Sequence, residues 1–247
     1  GSSSSDVWAV GFRGLILHSN GNEWTPFHGV TNRSLNAVWA ANTTNAWAVG
    51  VGGTVLKWNG SQWQPETVPT QADLWAVHGT SATDVWASGA NGTLLHLGSD
   101  GAWRTISSGT NAAVMDLWAK SPTEAWAVCV DESILRWNGS AWSVERAATR
   151  PDGGVWGGLV TAWGTGNFVW AGGGAASSNR ILGRNPTNGT WTNRPSFDSR
   201  PIADFWGNDA TNILVVNDVA QVSQWNGSQW VPVTLSHGMH FAAKLSI

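Results

Sequence analysis

Short apolar stretches alternate with polar turns along the whole chain, and no segment sustains the spacing of an amphipathic helix. The clearest stretch is the hexapeptide Asp-Val-Trp-Ala-Val-Gly that begins at Asp6. Related hexapeptides begin at positions 45, 84 and 124, with degenerate copies at 167 and 212, so the spacings are 39, 39, 40, 43 and 45 residues. Continuing from 212 through the C-terminus to position 6 adds 41 residues. The spacing therefore predicts six tandem repeats whose ends meet in register.

A turn followed by a tryptophan marks each repeat a second time. The turns are Asn20-Gly21, Asn59-Gly60, Asp100-Gly101, Asn138-Gly139, Asn188-Gly189 and Asn226-Gly227, and their tryptophans are Trp24, Trp63, Trp103, Trp142, Trp191 and Trp230. Asn-Gly and Asp-Gly favour hairpins because both central residues of the turn adopt positive φ. A short apolar run, such as residues 35–39, precedes the hexapeptide. Each unit therefore reads as four strands, expected in the second unit at about 35–40, 45–50, 53–58 and 62–66.

Four-stranded repeats of this length predict an all-β fold, a six-bladed β-propeller forming one domain over 1–247. The predicted units are 1–34, 35–73, 74–113, 114–154, 155–201 and 202–240. The first unit lacks a strand before its hexapeptide, so residues 241–247 are expected to join the N-terminal blade and close the ring.

The run from Asp6 to Trp24 resembles the tryptophan-rich propeller repeats of secreted bacterial proteins. It is also similar to the Asp-box, or bacterial-neuraminidase repeat, and to the repeats of photosystem II assembly-factor propellers. The sequence from Ser99 to Trp103 comes closest to the Asp-box. The resemblance implies the fold over nearly the whole chain, and it implies a secreted or periplasmic location. It implies little about function, because the box is a structural turn in those families.

Composition narrows the classes of partner. Charged residues make up 12% of the chain, against roughly 25% in an ordinary soluble domain. The net charge of −3 predicts no nucleic-acid partner, and no apolar run is long enough to insert into a membrane. Residues 1–5 have neither a basic region nor an apolar stretch, so no signal peptide is expected among them, and the single Cys129 excludes an internal disulfide. The spacing of the six histidines predicts no metal site, and no cofactor is expected.

Most of the 20 tryptophans recur at equivalent positions in the repeats. Recurrence at one position predicts packing between blades, although a ring of equivalent sugar sites is the alternative. Trp75 and Trp156 stand outside these positions and are candidate ligand contacts.

The loops that differ between repeats carry much of the charge, and they are expected to emerge on one face of the ring. The candidate ligand-binding residues are Arg13, Arg33, Trp75, Asp131, Glu132, Arg150, Trp156, Asn179, Arg180, Arg200, Asp218 and His240. Arginine, amide and tryptophan side chains suit a polyhydroxylated or carboxylated ligand.

Three functions fit these features. The leading prediction is a lectin-like propeller that binds a glycan or polysaccharide on the loop face or between blades. The second is a lyase or hydrolase acting on a polysaccharide or small metabolite in the channel mouth, using Asp131, Glu132 or a histidine. A sialidase is disfavoured because its family uses a tyrosine nucleophile and this chain has no tyrosine. The third is a protein-interaction scaffold, which a large exposed apolar patch would favour.

Overall fold

The computed structural model describes residues 1–147, 158–175, 178–195, 198–209 and 211–233. They form 23 β-strands and three short 3₁₀ turns. The first sheet contains β1 (Val7–Val10), β2 (Ile16–Ser19) and β3 (Trp24–Phe27). The second contains β4 (Leu35–Asn42), β5 (Asn45–Gly50), β6 (Thr54–Trp58) and β7 (Trp63–Pro65). The third contains β8 (Leu74–Ser81), β9 (Asp84–Gly89), β10 (Leu94–Leu97) and β11 (Trp103–Thr105).

The remaining three sheets also have four strands each. The fourth contains β12 (Val114–Ser121), β13 (Glu124–Cys129), β14 (Ile134–Trp137) and β15 (Trp142–Arg146). The fifth contains β16 (Leu159–Thr165), β17 (Phe168–Ala175), β18 (Ser178–Arg184) and β19 (Trp191–Asn193). The sixth contains β20 (Ile202–Asp209), β21 (Asn212–Asn217), β22 (Val222–Trp225) and β23 (Trp230–Pro232). The 3₁₀ turns are Phe12–Gly14, Val51–Gly53 and Ala90–Gly92.

Within every sheet, strands that follow each other in sequence are neighbours in space. The four strands predicted for the second unit match β4 to β7 to within two residues at each end. The closure strand predicted at 241–247 lies outside the described residues. Among the residues that are described, no helix is long and apolar enough to cross a membrane.

The chain divides into two compact units. The first comprises Gly1–Ala125 and Trp137–Ser143, and the second comprises Trp126–Arg136 and the described residues from Val144 onward. In the first unit, buried apolar side chains fill the space between the first and second sheets and between the second and third. In the second unit, an equivalent core joins the fifth and sixth sheets.

The turn signals of the sequence form hairpins with side-chain support. In the turn after β6, Oδ1 of Asn59 accepts hydrogen bonds from the backbone N–H groups of Ser61 and Gln62, both at 3.0 Å. The Ser61 hydroxyl donates to the same oxygen. Gly60 adopts φ +94° but Asn59 does not adopt a positive φ, so the prediction of positive φ at both central residues is wrong: the asparagine instead keeps an ordinary backbone and caps the turn with its side chain. Asn138 and Asn226 make the same contacts in the fourth and sixth sheets. These hydrogen bonds, together with the backbone conformation of the glycine, explain why Asn-Gly-Ser recurs at these three turns.

Tryptophan clusters connect alternate pairs of sheets. The indole of Trp8 in the first sheet lies 5.0 Å from the rings of both Trp58 and Trp63 in the second. The same cluster recurs between the third and fourth sheets and between the fifth and sixth, as Trp86–Trp137–Trp142 and Trp170–Trp225–Trp230. These rings are buried and meet at steep angles, the geometry that aromatic pairs prefer.

At the interfaces between these pairs of sheets, a tryptophan indole donates a hydrogen bond to a carboxylate instead. Between the second and third sheets, Nε1 of Trp103 donates to Glu66 at 2.6 Å. Between the fourth and fifth sheets, Nε1 of Trp191 donates to Glu145 at 2.8 Å. Glu145 also accepts from Trp126 at 2.9 Å and from Arg184 at 2.8 Å, and these contacts hold the pKa of its carboxyl below the usual range. The repeat therefore alternates between two kinds of interface.

Candidate functional site

In five of the six sheets, the loop between the second and third strands has a residue with left-handed backbone at the same position. The fifth sheet lacks it because its strands stay paired there, and in the sixth sheet the residue is Ala220, with φ +63°. In the first three sheets the turn ends on Gly14, Gly53 and Gly92, all with φ near +70°. Glu132 takes this position in the fourth sheet with φ +69°. A left-handed backbone at a residue with a Cβ is strained, and such strain is frequent at functional sites. The loops are therefore firmly shaped, and their side chains are what differs between sheets.

Glu132 forms a buried charge cluster with two arginines. It is 1% exposed, and its Oε1 lies 3.1 Å from Nη2 of Arg180 on β18. Nη1 of Arg146, at the end of β15, donates to the backbone carbonyl of Glu132 at 2.5 Å. Burial lowers the pKa of Arg146, the Glu132 charge opposes that shift and the Arg180 charge adds to it. The guanidinium of Arg180 stays about one-third exposed, so one face of the cluster is open to solvent.

Asp131 and Glu132 face different partners. Oδ1 of Asp131 accepts hydrogen bonds from the backbone N–H and the hydroxyl of Ser133, at 2.9 and 2.6 Å. Asp131 therefore closes its own turn, while Glu132 points inward to Arg180. This geometry gives no support to a paired acid and base acting on one bond.

Asp198 organises the neighbouring loops of the fifth and sixth sheets. Its Oδ2 accepts from Nδ2 of Asn217 at 2.7 Å, and Nδ2 of Asn179 donates to its backbone carbonyl. The backbone N–H of Arg200 donates to its Oδ1 at 2.9 Å. The guanidinium of Arg200 reaches 4.0 Å from Asp218, and both side chains are about half exposed. The result is a rigid polar network with one exposed ion pair on it.

Two residues predicted in a loop lie on a strand. The sequence predicts a loop over 173–180, but β17 and β18 continue their pairing there, with Gly173 opposite Arg180 and Gly174 opposite Asn179. The glycines here allow close packing, because a Cβ on Gly172 would lie 2.5 Å from the Phe205 ring and one on Gly173 would lie 2.0 Å from the Gly158 carbonyl oxygen. Asn179 and Arg180 are therefore held by a sheet rather than by a flexible loop.

Arg13 and Arg33 lie together in the first unit. The backbone N–H of Arg13 donates to Oγ of Ser34 at 3.3 Å, and Nη1 of Arg33 donates to the carbonyl of Gly52 at 2.7 Å. Adjacent residues 33 and 34 thus connect the 3₁₀ turns of the first and second sheets. Trp75 lies apart from them on β8, half-buried, with its Nε1 shielded from solvent.

Exposed apolar side chains lie in the turn that contains Arg13 and in the turn that Arg33 contacts. Phe12 is 75% exposed and Leu15 is 45% exposed, on either side of Arg13. Val51 in the neighbouring turn is also exposed. We name Phe12, Arg13, Leu15, Arg33 and Val51 the first-loop patch. The third sheet has Ala90 and Thr93 where the first has Phe12 and Leu15, on the same backbone turn. The large apolar side chains are therefore not needed to form the turn.

The sequence identified some of these residues and missed others. Arg150, Trp156 and His240, three of the predicted ligand contacts, lie outside the described residues. Arg146, Asp198 and Asn217 hold the polar networks but were not predicted as site residues. Asn217 did carry a signal, because it replaces the glycine that ends the hexapeptide in the first three repeats.

The repeated tryptophans offer little open surface for stacking. Those of the hexapeptide and of the paired clusters are buried, and Trp24 is the one exposed tryptophan among the described residues, at 51%.

Cys129 is buried, which raises the pKa of its thiol to about 12 and keeps it protonated and unreactive. The part of the chain that the structure describes contains no group of three or more potential metal ligands.

Comparison with solved structures establishes the architecture. A structure of YCF48 bound to D1 peptide superposes with a TM-score of 0.70 at 16% identity, over 93% of this chain and 77% of that one. Virginiamycin B lyase from Staphylococcus aureus gives a TM-score of 0.72 at 12% identity, over 95% of this chain and 86% of that one. The WD40 domain of Neurospora crassa Pan2 gives 0.68 at 12% identity, over 92% and 73%.

The fold is a β-propeller. Six antiparallel sheets with this likeness are consistent with the predicted six-bladed form. At these identities the likeness concerns the fold alone, and it does not confirm the Asp-box or the tryptophan-rich type of repeat. In the turn most similar to the Asp-box, Asp100 bonds to Arg104 at 2.8 Å. No family model and no curated protein matches the propeller's sequence.

Proposed function

We propose that this propeller is a protein-interaction scaffold that binds a segment of another protein through the first-loop patch. The observation that supports the proposal is the exposure of Phe12 and Leu15 on a firmly hydrogen-bonded turn. Exposing apolar side chains in water is unfavourable, and the third sheet forms the same turn without them. Aromatic residues and arginine are enriched at the centres of protein interfaces, and this patch combines both.

Two propellers of similar fold are relevant to the choice between a protein-interaction scaffold and an enzyme. One is described in complex with a peptide, and another, a lyase, is described with quinupristin. These neighbours suggest a protein-interaction scaffold or a propeller enzyme. The first is favoured here because Asp131 and Glu132, the carboxylates proposed for catalysis, are each engaged by a different partner.

Lectin function has no support from the comparisons. It rests on stacking of sugar rings on tryptophan faces, and the tryptophans of the hexapeptide and of the paired clusters are buried. The glycan prediction therefore stays a prediction, and the experiment below includes it.

The proposal takes the six sheets as a closed ring, with residues 241–247 completing the first sheet. A ring would keep the 3₁₀ turns of the first and second sheets at fixed positions, so that the patch is already formed before a partner binds.

Selection from a displayed library of random peptides, beside a glycan array, tests the proposal. The variant Phe12→Ala with Leu15→Thr gives the first turn the residues of the third, so we expect it to fold normally. A control, Val144→Thr with Val231→Thr, removes two exposed valines from the outer strands β15 and β23. We expect enriched peptides to bind the parent and the control equally, and the patch variant at least tenfold more weakly.

Two results would overturn the proposal. One is that no peptide is enriched, and the other is that enriched peptides bind the patch variant as well as the parent. Binding confined to a defined glycan would restore the lectin prediction.

A further inference from the structure

We infer that the partner segment is acidic, with an apolar side chain flanked by carboxylates that pair with Arg13 and Arg33. This inference rests on the proposed function and specifies the chemistry of its partner. It follows from how the two guanidiniums are fixed and from the charge around them.

Arg13 is held in a conformation that does not suit its side chain. Its φ is +55°, at a position where the second sheet has Gly52 and the third has Asn91. Glycine and asparagine adopt the left-handed region far more readily than arginine does. Nothing in the turn requires an arginine there, since the same turn forms without it. Its guanidinium lies 5.4 Å from the centroid of the Phe12 ring, so the charge and the apolar anchor sit side by side.

Arg33 is fixed from the other side. Its hydrogen bond to the Gly52 carbonyl places the guanidinium across that residue, so that a Cβ on Gly52 would come within 2.6 Å of Nη1. The turn thus accommodates the arginine because it has glycine at this point. One donor is used on the carbonyl, and the exposed guanidinium keeps others for a carboxylate.

Neither the guanidinium of Arg13 nor that of Arg33 is directly paired with a carboxylate of the described residues. Asp73 accepts the backbone N–H of Gly52 at 2.7 Å, and Glu66 accepts the indole N–H of Trp103. The first-loop patch therefore presents two positive charges beside three exposed apolar side chains, in a protein whose net charge is −3. A partner that matches both features is apolar and acidic.

The experiment compares two synthetic peptides of equal length. One has a central phenylalanine flanked by glutamates, and the other has lysines in place of the glutamates. The protein variants are Arg13→Asn with Arg33→Ala, and a charge-reversed form, Arg13→Asp with Arg33→Glu. Asparagine and aspartate tolerate the left-handed turn, so both variants are expected to fold. Arg104→Ala with Lys120→Ala removes the same charge from two residues that form local ion pairs elsewhere, and serves as control.

We expect the parent to bind the glutamate peptide at least tenfold more tightly than the lysine peptide, with affinity falling as salt rises. Neutralising Arg13 and Arg33 should remove most of that preference and its salt dependence, and reversing them should invert it. The control should behave like the parent.

The inference fails if the neutralised variant binds the glutamate peptide as tightly as the parent does. If peptides still bind in a Phe12-dependent way without a preference for acid, the proposed function stands and only the acidic partner is wrong. If the patch binds phosphatidylserine vesicles and neither peptide, the surface is a membrane contact and both proposals are wrong.

Discussion

His78 shows how one substitution in a repeat changes the chemistry of a buried position. It stands on β8 where β4 and β12 carry Trp39 and Trp118. The backbone N–H of Ala119 donates to its Nδ1 at 3.2 Å, which requires that nitrogen to be unprotonated. Burial lowers the pKa of His78 to about 4, although the charges of Asp116 and Asp84 oppose the shift. The ring therefore stays neutral in the folded protein over most of the acidic range.

This pKa predicts a loss of stability on acidification. The unfolded chain takes up a proton at His78 near pH 6.5, whereas the folded protein does so near pH 4. The free energy of unfolding should therefore fall as the pH drops from 6.5 to 4, by about 3 kcal/mol from this residue. His78→Gln keeps an acceptor for Ala119 and should flatten the profile in urea unfolding between pH 7 and 4.5.

The exposed His28 provides the control for this measurement. His28→Gln should keep the profile of the parent. A His78→Gln protein with the parent's pH dependence would show that His78 titrates normally in the folded state.

At the scale of the elements, equivalent tryptophans differ widely in burial. Trp142 at the start of β15 is buried against Trp86 and Trp137. Trp24 at the start of β3 has the same place in its sheet, yet half of its surface is exposed. The sequence around both is a turn followed by tryptophan, so the difference comes from what packs against each ring.

Replacing Trp142 or Trp24 with alanine should lower the free energy of unfolding by different amounts. Trp142→Ala should destabilise the protein by about 3–5 kcal/mol, since it removes a buried aromatic ring and leaves a cavity. Trp24→Ala should cost less than about 1 kcal/mol, because the ring is already largely in water. Chemical denaturation of both variants, followed by far-ultraviolet circular dichroism, measures the difference. Equal losses would contradict the packing described here.

At the scale of the whole molecule, ring closure is the main prediction still to be tested. Truncation after residue 240 should lower the melting temperature sharply or abolish cooperative unfolding, because the first sheet would lose its expected fourth strand. Removing Ile247 alone should have a small effect. A protein truncated after residue 240 that keeps the parent's transition in calorimetry would refute closure by these residues.

The sequence predicted the strands well because their signals are local. Asn-Gly turns and alternating apolar residues specify the hairpins of each repeat without reference to distant parts of the chain. The site was harder to predict because exposure depends on tertiary packing. Phe12 and Leu15 were not among the predicted site residues, because nothing in the sequence shows that they are exposed. Asn179 and Arg180 were predicted in a loop, because the sequence does not show that β17 and β18 pair there. The pairing of sheets was also missed, although Trp58, Trp137 and Trp225 recur only in alternate repeats.

The alternation of tryptophan clusters and carboxylate contacts also bears on how such a chain could have grown. Inserting or deleting one repeat would bring together two faces of the wrong kind, leaving a Glu66-type carboxylate opposite a tryptophan cluster. Inserting or deleting two adjacent repeats, about 80 residues, preserves every interface. In a ring closed as predicted, only an even number of blades would keep this alternation. We therefore expect relatives that share it to have four, six or eight blades rather than five or seven.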